Sequence, residues 1–153
     1  VNAKQIGLVA AVFGLVGVGV GIVGAAATGW AEAALATAAT GETARFGPVF
    51  VAQSYLAATA TVLVSAVPLA GVLGVLIGSR ARGVGSAATT CGLGTGLGAL
   101  AYGLIAVTVI VVSQGDAAAQ AHGLVDAVVP TLATAFVAGA VGASTGVLGT
   151  VMR

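Results

Sequence analysis

Asp126 is the residue whose type and place could carry the most chemistry. It falls within a long apolar run, residues 118–151, with His122 one turn before it. If a helix starts near Ala118, Asp126 stands about eight residues in, roughly 12 Å along the axis. A carboxylate at that depth is expensive to desolvate and points to function. It would accept a proton or Na⁺, with His122 tuning it or relaying the proton. The same residues fit a second arrangement. If the helix starts at Val125 or later, Asp126 is its N-terminal cap, favoured by the free N–H groups and the helix dipole, and Pro130 suits a helix start.

The second source of polar chemistry is the run 49–78, which holds Gln53, Ser54, Tyr55, Thr59 and Thr61. Such groups either bond across membrane helices, for around 1 kcal/mol each, or line an ion path. Thr89, Thr90 and Thr95 on the run 84–113 are open to the same two readings. No catalytic set is visible. There is one His, one Cys and no pair of carboxylates at helical spacing. A metal site needs three or four suitable ligands, which the chain hardly has. Cys91 has no partner for an internal disulfide and reads as a small apolar residue. The expectation is a protein that is not an enzyme and holds no cofactor, with H⁺ or Na⁺ as the only candidate cargo.

These residues are set in an extremely apolar chain. Of 153 residues only five are Lys or Arg and four Asp or Glu; hydrophobic residues make up 59%, and the mean hydropathy is +1.16. A soluble domain carries about 25% charged residues, against 6% here. Five cations cannot neutralise many phosphates, which excludes nucleic-acid binding through a basic patch. Disorder would need low hydrophobicity and high charge.

Four runs are long enough to span the roughly 20 residues of a bilayer core. Residues 6–28, 49–78 and 84–113 hold no charge, and residues 118–151 hold only His122 and Asp126. The runs are continuous, without the alternating polarity of barrel strands, so four helices are expected. The first run is longer than the apolar region of a signal peptide and reads as a span. The chain begins at Val1; an alternative start codon and a trimmed N-terminus both give that. Lys4, Arg80, Arg82 and Arg153 share one side of such a topology, while Glu32, Glu42, Asp116 and Arg45 share the other. Positive charge stays cytoplasmic, so both termini are expected inside, with 29–47 and 114–117 outside.

The segment 29–47, GWAEAALATAATGETARFG, favours helix through its Ala and Glu. Trp30 and Phe46 suit a membrane interface. Either the first helix continues beyond the membrane or a short helix lies on the surface. Pro48 is expected at the first position of the next helix.

Glycine is the other conspicuous residue, at 25 positions. Gly17, Gly21 and Gly24, then Gly92 and Gly96, then Gly142 and Gly146 recur at three- and four-residue spacing. That spacing puts them on one helix face, where another backbone can approach closely. Gly19-x-Gly21-x-x-Gly24 matches the dinucleotide fingerprint, but it lies inside a span without the strand and helix start the motif needs.

GVGVGIVG at 17–24, AEAALATAATGETARFG at 31–47 and PVFVAQSYLAATATVL at 48–63 together resemble the rotor-ring proteolipid, subunit c, of V/A-type ATPases. In that family a Gly-repeat helix leads through an Ala-rich stretch to a loop like Arg45-Phe46-Gly47. A second helix follows, with a polar cluster where Gln53 lies and an ion-binding Glu. Here Ala58, Thr59 and Ala60 occupy the neighbourhood of that Glu, and the second half does not repeat the first hairpin. The family's loop is cytoplasmic, opposite to the side the charges give. GLVDA at 123–127 followed by Pro130 also looks like the carboxylate segment of some F-type subunit c chains. The resemblance implies H⁺ or Na⁺ translocation by a ring of copies.

The sequence thus predicts an all-α, integral membrane four-helix bundle forming one transmembrane domain. Its expected surroundings are lipid and other membrane subunits or copies of itself. Three roles fit: a proteolipid taking part in ion translocation, a structural subunit without transport activity, or a small transporter or channel with a polar path along the run 49–78.

Overall fold

A computed structural model of the chain describes residues 3–115 and 122–152. Asp116, Arg153 and residues 118–121 of the fourth run lie outside the described residues. Four helices carry the fold: α1 Ala3–Glu32, α2 Gly41–Gly78, α3 Val84–Val112 and α4 Val128–Val151. Each is long and apolar enough to cross a membrane, and no strand occurs among the described residues. The protein is an all-α integral membrane protein built as a four-helix bundle. Hydrocarbon offers no partner to a free N–H or C=O, and a helix is the element that satisfies both within one segment.

Residues 29–47 contain almost no loop. α1 runs through Trp30 and ends in a π-helical turn, Ala33–Thr37. The chain then reverses in three residues and enters α2 at Gly41, whose φ of +63° is a conformation glycine adopts without steric penalty. Pro48 is therefore inside α2, not at its first position. The local preference of Ala and Glu for helix outweighs the one hydrogen bond that Pro48 cannot donate, to the carbonyl of exposed Ala44. Gly47 is buried because the Leu35 carbonyl lies where its side chain would be.

Tyr55 reaches the end of α3 through a hydrogen bond to the Ser113 carbonyl, 3.2 Å away. The roughly dozen residues of α2 before that level run past α3, a projection of about 18 Å at 1.5 Å per residue. α1 accompanies α2 over this length, forming a helical stalk that carries Glu32, Glu42 and Arg45. Lys4, Arg80 and Arg82 are at the opposite end of the bundle, all exposed.

α1 and α3 run parallel and fit size to size. Val9 packs against Gly94 and Phe13 against Gly98; one turn further on the roles reverse, with Gly17 on Tyr102, Gly21 on Ala106 and Gly24 on Ile110. A Cβ on Gly17 would be 3.0 Å from the Tyr102 backbone, and one on Gly21 3.0 Å from that of Ala106. α3 and α4 are antiparallel, with Gly92 and Gly96 facing Ala143, Gly139 and Ala135. α2 and α4 are parallel, with Gly74 and Gly78 against Gly142, Thr145 and Gly146. The α1–α2 and α3–α4 hairpins therefore stack in the same orientation.

Tyr102 ties three helices together. Its ring meets Phe13 of α1 edge-on at 6.2 Å. Its hydroxyl donates to the Val62 carbonyl of α2 at 3.0 Å and shares a 2.6 Å hydrogen bond with Ser65.

Candidate functional site

α4 starts at Val128, well after Ala118, so Asp126 is not inside a membrane helix. Nor does it cap α4. Ala127 holds the cap position, and the exposed Asp126 carboxylate accepts the Gly123 N–H at 2.8 Å. The chain at 122–127 folds into a turn, since Gly123 gives the carboxylate a nearer partner than the helix end does. Asp126 is therefore neither of the two things its spacing suggested.

The turn is nonetheless held low. Ala127 is buried with Leu63 of α2 and Val107 of α3, and Thr131 packs on Gly103. α4 thus begins about one and a half turns below the end of α3, and residues 122–127 form the floor of a mouth between α2, α3 and α4. Two cavities flank this turn. One, about 200 Å³, is apolar and lies over Leu104, Val107, Leu124 and Val128. The other, about 360 Å³, is lined by Leu56, Thr59, Ala60, Leu63, His122, Asp126, Ala127 and Pro130.

The second cavity brings together three of the residues singled out from the sequence. Thr59 is buried on α2; its hydroxyl donates to the Tyr55 carbonyl at 2.9 Å, and His122 Nε2 is 3.1 Å from Thr59 Oγ1. His122 Nδ1 is buried and makes no hydrogen bond among the described residues. Leu56, Ala60 and Leu63 complete the wall at helical spacing around Thr59. That i, i+3, i+4, i+7 stripe is legible in the sequence, although only the fold shows what faces it.

The remaining polar residues of helix 2 do not converge on this cavity. Gln53 is exposed on the stalk side, and Ser54 is closed on the Val51 carbonyl at 2.7 Å. Tyr55 is fully buried but points to Ser113, and the exposed Thr61 bonds back to Ala57 at 2.8 Å. On α3, Thr89 bonds back to Gly85, whereas Thr95 reaches both its own helix at Cys91 and the Ala138 carbonyl of α4, at 3.0 Å. Thr90 Oγ1 is buried without a hydrogen-bond partner among the described residues. Sequence reasoning missed Ser65 and Tyr102, whose link to Val62 joins α2 to α3; a lone Tyr among glycines was the signal available.

Chemically, the mouth offers a carboxylate, an imidazole and a hydroxyl over an apolar wall. No group of three or more His, Cys, Asp and Glu side chains suited to a metal ion comes together among the described residues. Gly17, Gly21 and Gly24 all face α3 of the same chain, and Gly92, Gly96, Gly142 and Gly146 lie in the α2–α3–α4 contacts. The fingerprint glycines are inside α1, where the helix leaves no loop for a phosphate. No protein-family model, no curated protein and no solved structure matches the chain.

Proposed function

We propose that the chain is a structural subunit of a larger membrane assembly, or of a homo-oligomer, without ion-carrying activity of its own. The observation that carries this reading is the placement of ionisable groups. Lys4, Glu32, Glu42, Arg45, Arg80 and Arg82 are at the helix ends or on the stalk, and Asp126 is in an exposed turn outside α4. Most hydroxyls along the apolar lengths are closed onto backbone carbonyls, which leaves little for an ion to replace its hydration with. The bundle interior is instead close contact between backbones, which suits a rigid scaffold. Charge asymmetry supports both termini and the 79–83 turn on the cytoplasmic side, with the stalk outside.

The rotor-ring proteolipid is the second reading. The stacking of the two hairpins in one orientation, α1 beside α3 and α2 beside α4, favours it, because a ring is built by repeating such a step around an axis. Native mass measurement of the detergent-solubilised protein with identification of co-purifying chains separates the two. The structural reading expects different neighbours or a small oligomer. Many identical copies about one axis, with carbodiimide labelling of Asp126 blocked by Na⁺, would replace it by the ring. Single cysteines at positions 42 and 82, labelled from each side, test the orientation; labelling of position 42 only from the cytoplasm would invert it.

A further inference from the structure

Among the described residues, one side-chain hydrogen bond fastens the 122–127 turn to α2: His122 Nε2 to Thr59 Oγ1, at 3.1 Å. A second anchor is apolar, Ala127 against Leu63 and Val107. The Thr59 hydroxyl donates to the Tyr55 carbonyl at 2.9 Å, so the proton in the contact with His122 comes from the ring, and Nδ1 is a lone pair. Charging the ring adds a second N–H, on Nδ1, which is buried and meets no acceptor among the described residues. A buried N–H that carries charge and lacks a partner is strongly unfavourable. A ring turned out to solvent finds water for it. Few titratable groups surround this position. α2 presents Leu56, Thr59, Ala60 and Leu63, α3 presents Leu104, Val107 and Thr108, and α4 presents Pro130; none of these titrates. The Tyr55 hydroxyl, one turn from Thr59, is directed to Ser113. On the turn itself, Asp126 lines the same cavity, but its carboxylate is exposed and accepts the Gly123 N–H at 2.8 Å, so water screens its attraction for a charged ring.

We propose that His122 is a pH-sensitive latch: the neutral ring holds the 122–127 turn on α2, and the protonated ring leaves Thr59 and releases the turn from the mouth. The hold is present where an imidazole is neutral and is lost as the pH falls through the range in which it gains a proton. The turn stands between the two cavities of about 200 and 360 Å³, with Leu124 and Val125 on the one and His122 and Asp126 on the other. Its release joins them into one opening between α2, α3 and α4. The latch is at the end of the bundle away from Arg80, so it answers to the pH on that side. It is independent of whether the chain is a structural subunit or part of a ring.

Val125 is 82% exposed on the turn and Cys91 is buried, so Val125→Cys places a nitroxide spin label on the turn of the full chain in detergent. Label mobility is followed from about pH 8 to about pH 5, above the range of ordinary carboxylates. The ¹⁵N ring signals of His122, the only histidine, are recorded alongside. The ratio of released to held turn should rise at least about tenfold on acidification, the size for one buried charged N–H left without an acceptor. The rise should coincide with protonation of the ring. His122→Gln keeps an N–H donor for Thr59 and does not titrate, so its turn should stay held throughout. Asp126→Asn should keep the response. The same acid response in His122→Gln, or its loss in Asp126→Asn, would overturn the latch. The parent chain decides the matter even where a variant does not fold: a ring that gains its proton with the turn still held, or a turn released with the ring neutral, overturns it as well.

Discussion

The two ends of the bundle use similar residues and reach opposite results. At the Arg80 end, α2, α3 and α4 meet backbone to backbone. A side chain on Gly78 would overlap the Gly146 backbone, one on Gly74 would overlap Thr145, and one on Gly149 would be 2.6 Å from the Val75 carbonyl. Thr95 there bonds to Ala138 and the Cys91 thiol is 3.6 Å from the Gly74 carbonyl, although Thr90 Oγ1 is buried with no hydrogen bond among the described residues. At the mouth, Leu56, Leu63, Leu104 and Leu124 line the cavities, and α4 starts short of the end of α3. Cavities remain, and the His122 imidazole has a nitrogen with no hydrogen bond among the described residues. Glycine closes the α2–α4 and α3–α4 seams where the facing helices are small at the same height. Small residues on one side with bulky ones opposite close equally well, as in the α1–α3 seam, but bulk on both sides leaves a gap.

Replacing the closed end should therefore cost far more than altering the mouth. Gly78→Leu is expected to have the largest effect, a loss of about 3 kcal/mol or more, because the obstacle is backbone that cannot rotate away; thermal unfolding in detergent against the parent reads it. Gly21→Leu should follow at about 2 kcal/mol, since it forces α1 from Ala106 and Val109. Retained melting temperature in that variant would mean the α1–α3 seam is not a close contact. Tyr102→Phe removes the hydrogen bonds to Val62 and Ser65 while keeping the ring against Phe13, for about 1 kcal/mol. Restoration of that loss by Ser65→Ala in the same chain would show the two hydroxyls act as a pair. At the mouth, Asp126→Asn is expected to change stability by less than about 0.5 kcal/mol, as for an exposed turn residue. The same size is expected of Gly19→Leu, which has open space around it although it is two residues from buried Gly17 and Gly21 on the same helix; a large cost there would reveal a neighbour of α1 outside this chain.

Much of the fold is legible in the residues. The uncharged runs match helices α1, α2 and α3 because a span must be apolar throughout and long enough, and both conditions are properties of the sequence alone. The i, i+4 glycines likewise mark faces of close approach. The boundaries were less legible where composition stays neutral. GWAEAALATAATGETARFG suits a continued first helix and a short surface helix equally, and the packing of Gly47 on Leu35 accompanies the continued one. The start of α4 misled for the same reason. Residues 118–127 are apolar enough to be span, so hydropathy cannot say where the helix begins, and the inferred depth of Asp126 depended on that boundary.

The sequence by itself determined that this chain lives in a membrane as helices, because nine charges among 153 residues leave no other solvent for it. It also determined which residues can titrate, since there are so few. Only the tertiary structure decided which of them meet. Thr59 and His122 are 63 positions apart and come within 3.1 Å because α2 passes the turn before α4. Gln53 and Thr59 look alike as polar residues on one run, yet one is exposed and the other buried. Periodicity orders residues around a helix, but which face a neighbour covers depends on how four helices share their small and large side chains.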